Sequence, residues 1–243
     1  MKISQVVFRY RRWWILLIIL LGFWAPLDRV SGQHPASTWL VLAGVLARYR
    51  VLPIGYAFIV IVVLATLFAL AAAVLRTWGT AYLGSGVMQD PALHGERIVA
   101  DGPYRYVRNP LYLGGELHIL ALAILMPPWG AIFTVIAMAL LFAALIRAEE
   151  AHLIATRGDA YREYRSRVSC ILPSLSARVP AGEERPRWGQ ALLAEIYFWG
   201  VAITYAALAY RYDGTILKQG VLVSFGLSIV ARAFVRRPVA DEG

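Results

Sequence analysis

Apolar residues come along this chain in long runs, separated by shorter stretches rich in arginine. A helix needs about 20 apolar residues to cross a bilayer. Runs that approach that length lie near Trp13–Leu27, Ile54–Leu75, Leu111–Pro127, Trp129–Ile146, Ala191–Tyr210 and Thr215–Val235. A further run, Thr38–Ala47, is apolar but short and is stopped by Arg48, Arg50 and Pro53. It reads as an interfacial or re-entrant helix, or as a seventh span. The pattern predicts an all-α, polytopic membrane protein.

Arginine placement arbitrates the number of crossings. With six spans and a cytoplasmic N-terminus, 19 of the 24 basic residues fall on the cytoplasmic side. Counting Thr38–Ala47 as a span would put the first four or a later group on the wrong side. The positive-inside rule therefore favours six spans with both termini cytoplasmic. The start, with Lys2, Arg9, Arg11 and Arg12 before the apolar run, has the layout of a signal peptide but no clear small-x-small cleavage site. It is read as an uncleaved first helix.

Composition agrees. The 243 residues are 59% hydrophobic and 16% charged, against roughly 45–50% and about 25% in a soluble domain. The mean hydropathy is +0.59. The net charge of +9 suits anionic lipid head groups rather than nucleic acid. A single cysteine, Cys170, excludes internal disulfides and cysteine metal clusters, and the histidines lack ligand spacing, so no metal is expected.

Two polar stretches, Arg76–Pro110 and Arg147–Arg187, flank one hairpin whose turn is Pro127-Pro128-Trp129-Gly130. A hairpin returns the chain to the side it left, so Gly102–Tyr112 and Arg147–Tyr164 must meet at one membrane face. The first reads Gly-Pro-Tyr-Arg-Tyr-Val-Arg-Asn-Pro-Leu-Tyr-Leu-Gly from Gly102. Its prolines and glycine fix an irregular backbone, and its tyrosines offer faces to a cation. The same Tyr and Arg residues also suit an interfacial belt. The second opens as a helix with Glu149 and Glu150. Adjacent helical residues point about 100° apart, so one carboxylate can face a site while the other faces water. Glu116 and His118 lie inside a span; His118 reads as a hydrogen-bonded packing residue. Pro180–Pro186 reads as a linker. The chain divides into an N-terminal segment 1–53, a core 54–179 and a C-terminal two-helix membrane extension 186–243.

The ordered set of Gly-Pro-Tyr-x-x-x-Arg-x-Pro-x-Tyr-x-Gly, helical hairpin, Glu-Glu-x-x-Leu and Gly-x-x-Tyr-x-x-Tyr-x-x-x-Val resembles the isoprenylcysteine carboxyl methyltransferase family. The wider group includes phospholipid methyltransferases. The likeness runs from about Arg76 to Pro173. It implies a cytoplasmic pocket for S-adenosyl-L-methionine and a lipophilic or lipid-modified acceptor from the bilayer. Carried over, Gln89, Arg97, Ile98 and Val99 look like upstream cofactor contacts, and Tyr104, Asn109, Pro110, Leu111 and Tyr112 like central ones. Glu149 looks like the carboxylate that holds the cofactor's polar end, and Arg105 and Arg147 like the residues that orient an anionic acceptor. Asn109 stands where the family usually has His, and it cannot become cationic. The two C-terminal spans are not required by the family core. The alternatives are phospholipid amine or thiol methylation, an NADPH-dependent sterol-reductase-like enzyme, or a non-catalytic relative.

Overall fold

The structure is a computed structural model that describes residues 8–24, 36–83, 100–231 and 234. The described residues are helical and contain no strand. The helices are α1 (Arg11–Trp24), α2 (Thr38–Arg48), α3 (Ile54–Leu83), α4 (Pro110–Ala123), α5 (Pro128–Arg167), α6 (Trp188–Ala194), α7 (Ile196–Leu208) and α8 (Gly214–Ala231). A 3-10 turn spans Gly102–Arg105.

This is an integral membrane protein, and among the described residues three helices, or four if one bent pair is a single span, are long and apolar enough to cross a membrane. The three are α3, α5 and α8, and the pair is α6 with α7. That pair bends by 69° at a break at Glu195, so the run expected over Ala191–Tyr210 is two helices. Helix α4 has 14 residues and stops at Ala123, short of the expected Pro127.

Small residues let the helices close up. Helix α3 buries Ala65, Ala69, Ala72, Ala73 and Gly79 along one side. A β-carbon on Gly79 would stand 2.9 Å from Leu111, and one on Gly114 would stand 2.6 Å from the Arg76 stem. Such residues bring helix backbones close where lipid supplies no hydrophobic drive. The same device joins α7 to α8, where a β-carbon on Gly220 would lie 2.3 Å from Thr204.

These contacts put the ends of the bundle in register. Helix α4 runs antiparallel to α3, and α7 returns along α3, with Glu195 beside Arg76 and Tyr205 donating to the Ala121 carbonyl at 2.6 Å. One end thus gathers residues 76–83, 102–112, 146–150 and 187–195. The other holds α2 and the hairpin turn. The backbone N–H groups of Thr38 and Trp39 donate to the carbonyls of Met126 (2.8 Å) and Ile124 (3.1 Å) there. Trp39 also meets Phe58 edge-on, so α2 lies against the start of α3.

The apolar part of α5 ends near Ile146, and the helix continues as a polar extension to Arg167. Gly158 breaks it with φ 55° and ψ −127°, a conformation open in practice to glycine. The chain from Arg178 into the segment read as a linker, Pro180–Pro186, runs along the Asp101–Tyr106 turn. Arg105 donates to Val179 O (3.0 Å), Arg178 N to Arg105 O (2.9 Å), and Gly182 N to the Asp101 carboxylate.

Candidate active site

Two carboxylates on α5 organise the polar end of the bundle, one buried and one partly buried. Glu150 is buried and carries the larger network. Its Oε1 accepts from Arg108 Nε at 2.9 Å and from Asn109 Nδ2 at 3.4 Å, and its Oε2 lies 3.4 Å from Arg165 Nε. Arg108 donates further to the carbonyls of Arg165 and Val168. A buried carboxylate requires such pairing. Glu150 thereby ties the loop before α4, the body of α5 and the short helix after Gly158 into one unit. The two adjacent carboxylates do point to different partners: Glu150 is covered by the loop before α4 and the post-Gly158 helix, and Glu149 is partly buried against α4.

Glu149 faces α4. It accepts a hydrogen bond from Tyr112 Oη at 2.7 Å. Tyr112 packs against Phe142, with ring centroids 5.4 Å apart. Glu149 lies beyond the apolar part of α5. Burial pushes its carboxyl up to about 7, while the Tyr112 hydrogen bond and the Arg11 charge pull the other way. A carboxyl held at that level gains from an incoming cation.

The residues around this pair fall into place by local rules. Pro110 opens α4 at a position where its missing N–H costs nothing. Gly102, at φ 55°, starts the turn that buries Tyr104, and a β-carbon there would strike the Tyr82 ring at 2.3 Å. Tyr104 Oη reaches Gly79 O at 3.5 Å, and its carbonyl accepts from Tyr164 Oη at 2.8 Å. Tyr161, Tyr164 and Val168 pack as one apolar cluster, which accounts for the Tyr-x-x-Tyr-x-x-x-Val spacing.

The expected site residues are therefore distributed as follows. Tyr112 and Glu149 are in contact, and Tyr104, Asn109, Pro110 and Leu111 stand on the same stretch of backbone. The Asn109 side chain is turned toward Glu150 and Cys170, donating to Cys170 O at 3.2 Å. Arg105 gives its Nε to the 168–187 segment. Arg147 is exposed at the start of the polar extension. Gln89, Arg97, Ile98 and Val99 lie outside the described residues. His118 is buried, with Nε2 3.0 Å from Tyr197 Oη, as expected of a packing residue.

Sequence reasoning missed Arg76, Thr80 and Glu195. Arg76 Nε and Nη2 meet Glu195 Oε2 and Oε1 at 2.7 and 3.1 Å, and Thr80 Oγ1 donates to Oε1 at 2.7 Å. Arg76 Nη1 donates to Leu111 O at 3.0 Å. The signal was present: a single carboxylate within an apolar run is a functional candidate by default.

The polar end of the bundle thus holds a helical hairpin with a Tyr–carboxylate pair. Residues 53–159 match the phospholipid methyltransferase family. Part of the chain is similar to the protein-S-isoprenylcysteine O-methyltransferase of Schizosaccharomyces pombe, 34% identical over 80 residues. That stretch covers 31% of this chain and 33% of the relative, so the chain matches about a third of the relative's length. No solved structure matches. The resemblance read from the sequence is borne out over this segment.

Proposed function

We propose that the protein transfers a methyl group from S-adenosyl-L-methionine to a lipophilic acceptor held at the polar end of the bundle. The observation that carries the reading is the Tyr112–Glu149 contact within the matched segment. The residues suit the donor: a partly buried carboxyl raised to about 7 beside a phenol is stabilised by an ammonium group. When bound, the donor supplies an electrophilic methyl on a sulfonium. Glu149 holds its ammonium end, the Tyr104 and Tyr112 rings favour its cationic sulfur, and the backbone of Asn109–Leu111 lines the site. The family resemblance adds Gln89, Arg97, Ile98 and Val99 as further cofactor contacts.

The acceptor nearest to the relative's name is the carboxylate of an isoprenylated cysteine. A carboxylate is already a nucleophile, so the protein's task is alignment and exclusion of water. Arg105 and Arg147 orient that carboxylate. In this reading the chain crosses the membrane six times with both termini and the site in the cytoplasm.

The test is calorimetric binding of S-adenosyl-L-methionine and, separately, of NADPH to the full chain in nanodiscs. Wild type binds the former, and Glu149→Ala weakens it at least tenfold. Unchanged affinity in Glu149→Ala removes Glu149 from the site. Binding of NADPH alone overturns methyl transfer.

A further inference from the structure

We propose that Glu195, from the C-terminal helical pair, is a positioning residue for the site, acting through Arg76 on the first turn of α4. This rests on the reading of that turn as part of the cofactor site. Arg76 belongs to the segment that matches the family, 53–159, whereas Glu195 lies well outside it. An arginine of the matched segment thus takes a carboxylate from the added helices.

The geometry is that of an alignment device. Glu195 is fully buried at the bend between α6 and α7. Its two oxygens engage Arg76 Nε and Nη2 side by side, which fixes the plane of the guanidinium. Thr80, one turn further along α3, fixes the carboxylate in turn. The remaining nitrogen, Nη1, is aimed at the carbonyl of Leu111, between Pro110 and Tyr112. The Arg76 stem fills the space left by Gly114, and its guanidinium lies 4.2 Å over the Phe198 ring of α7. The register of Tyr112 against Glu149 is therefore set from both sides, by α5 directly and by α7 through Arg76. The 187–195 segment is anchored at the same level, since Arg187 N donates to Ala81 O at 2.8 Å.

A carboxylate that only holds the bundle together and one that sets the α4 turn respond differently to an apolar replacement of the whole pair. Replacing a buried ion pair by packed apolar residues commonly preserves stability. Glu195→Ala, Glu195→Gln and the double variant Arg76→Met/Glu195→Met are compared with wild type as full chains in nanodiscs. Three quantities are read: the unfolding midpoint, hydrogen exchange of amides 109–116 against those of the far end of α3, and S-adenosyl-L-methionine affinity. The expected result is faster exchange confined to 109–116 and at least tenfold weaker binding in Glu195→Ala, with a smaller loss in Glu195→Gln. The double variant recovers the midpoint but not the exchange protection or the affinity. Recovery of all three, or unchanged exchange at 109–116 in Glu195→Ala, overturns the proposal. If wild type binds no S-adenosyl-L-methionine, the methyl-transfer reading fails, and the exchange data alone decide the role of Glu195.

Discussion

Replacing Glu150 by alanine tests whether the polar end of the bundle is held as described. The substitution leaves the Arg108 guanidinium, whose side chain is 9% exposed, without the carboxylate at 2.9 Å. Breaking a buried pair by removing one partner costs about 3–5 kcal/mol. The carbonyls of Arg165 and Val168 still accept from Arg108, which places the expected loss at the lower end, about 3 kcal/mol. For a chain of this size that is a fall of about 6–12 °C in the unfolding midpoint. The same helix supplies internal controls. Arg162–Asp159 and Arg167–Glu163 are also ion pairs, at 2.7 and 2.6 Å, but their side chains are more than half exposed. Exposed pairs contribute about 0–1 kcal/mol, so Asp159→Ala and Glu163→Ala shift the midpoint little. Thermal unfolding of the three variants in nanodiscs decides. If Glu150→Ala falls no further than the two controls, the network does not organise this end and the reasoning from burial is wrong.

Two further outcomes follow from single residues. Gly158→Ala meets no atom within 4 Å, so its cost is that of the backbone conformation alone, about 1–3 kcal/mol, read as a lower unfolding midpoint. Binding of S-adenosyl-L-methionine weakens as pH falls below about 7, by up to tenfold per unit, because Glu149 must release a proton to meet a cation. The dependence flattens above that point, is measured by calorimetry across the range, and disappears in Glu149→Gln.

The apolar runs marked where helices form, because each must pair its own backbone groups in an apolar medium. They marked the ends less well. Helix α4 stops at Ala123 because the next residues turn to receive α2, a partner 88 positions away for Met126 and Thr38. The meeting of the two polar segments was legible from the hairpin alone, and Tyr112 with Glu149 is its outcome. The pairing of Glu150 was not. A helical wheel states an angle between Glu149 and Glu150, but only the tertiary fold brings Arg108 and Arg165 to the second face. Arg76 and Glu195 were hidden for another reason. Each stands in or beside an apolar run, and 119 positions separate them, so their pairing depends on how α7 returns along α3.

The junction of α2 with the hairpin turn bears on the order in which the protein is assembled. Helices α4 and α2 abut end to end, the carbonyls at the close of one receiving the amides at the start of the other. Both pack on α3, a helix of 30 residues, so two separate pieces of chain together cover it. At about 1.5 Å per residue, α4 contributes about 21 Å and α2 about 16 Å. The acceptors for the leading amides of α2 lie more than eighty residues further along the chain, so the junction is a non-local contact that needs the hairpin turn to be present.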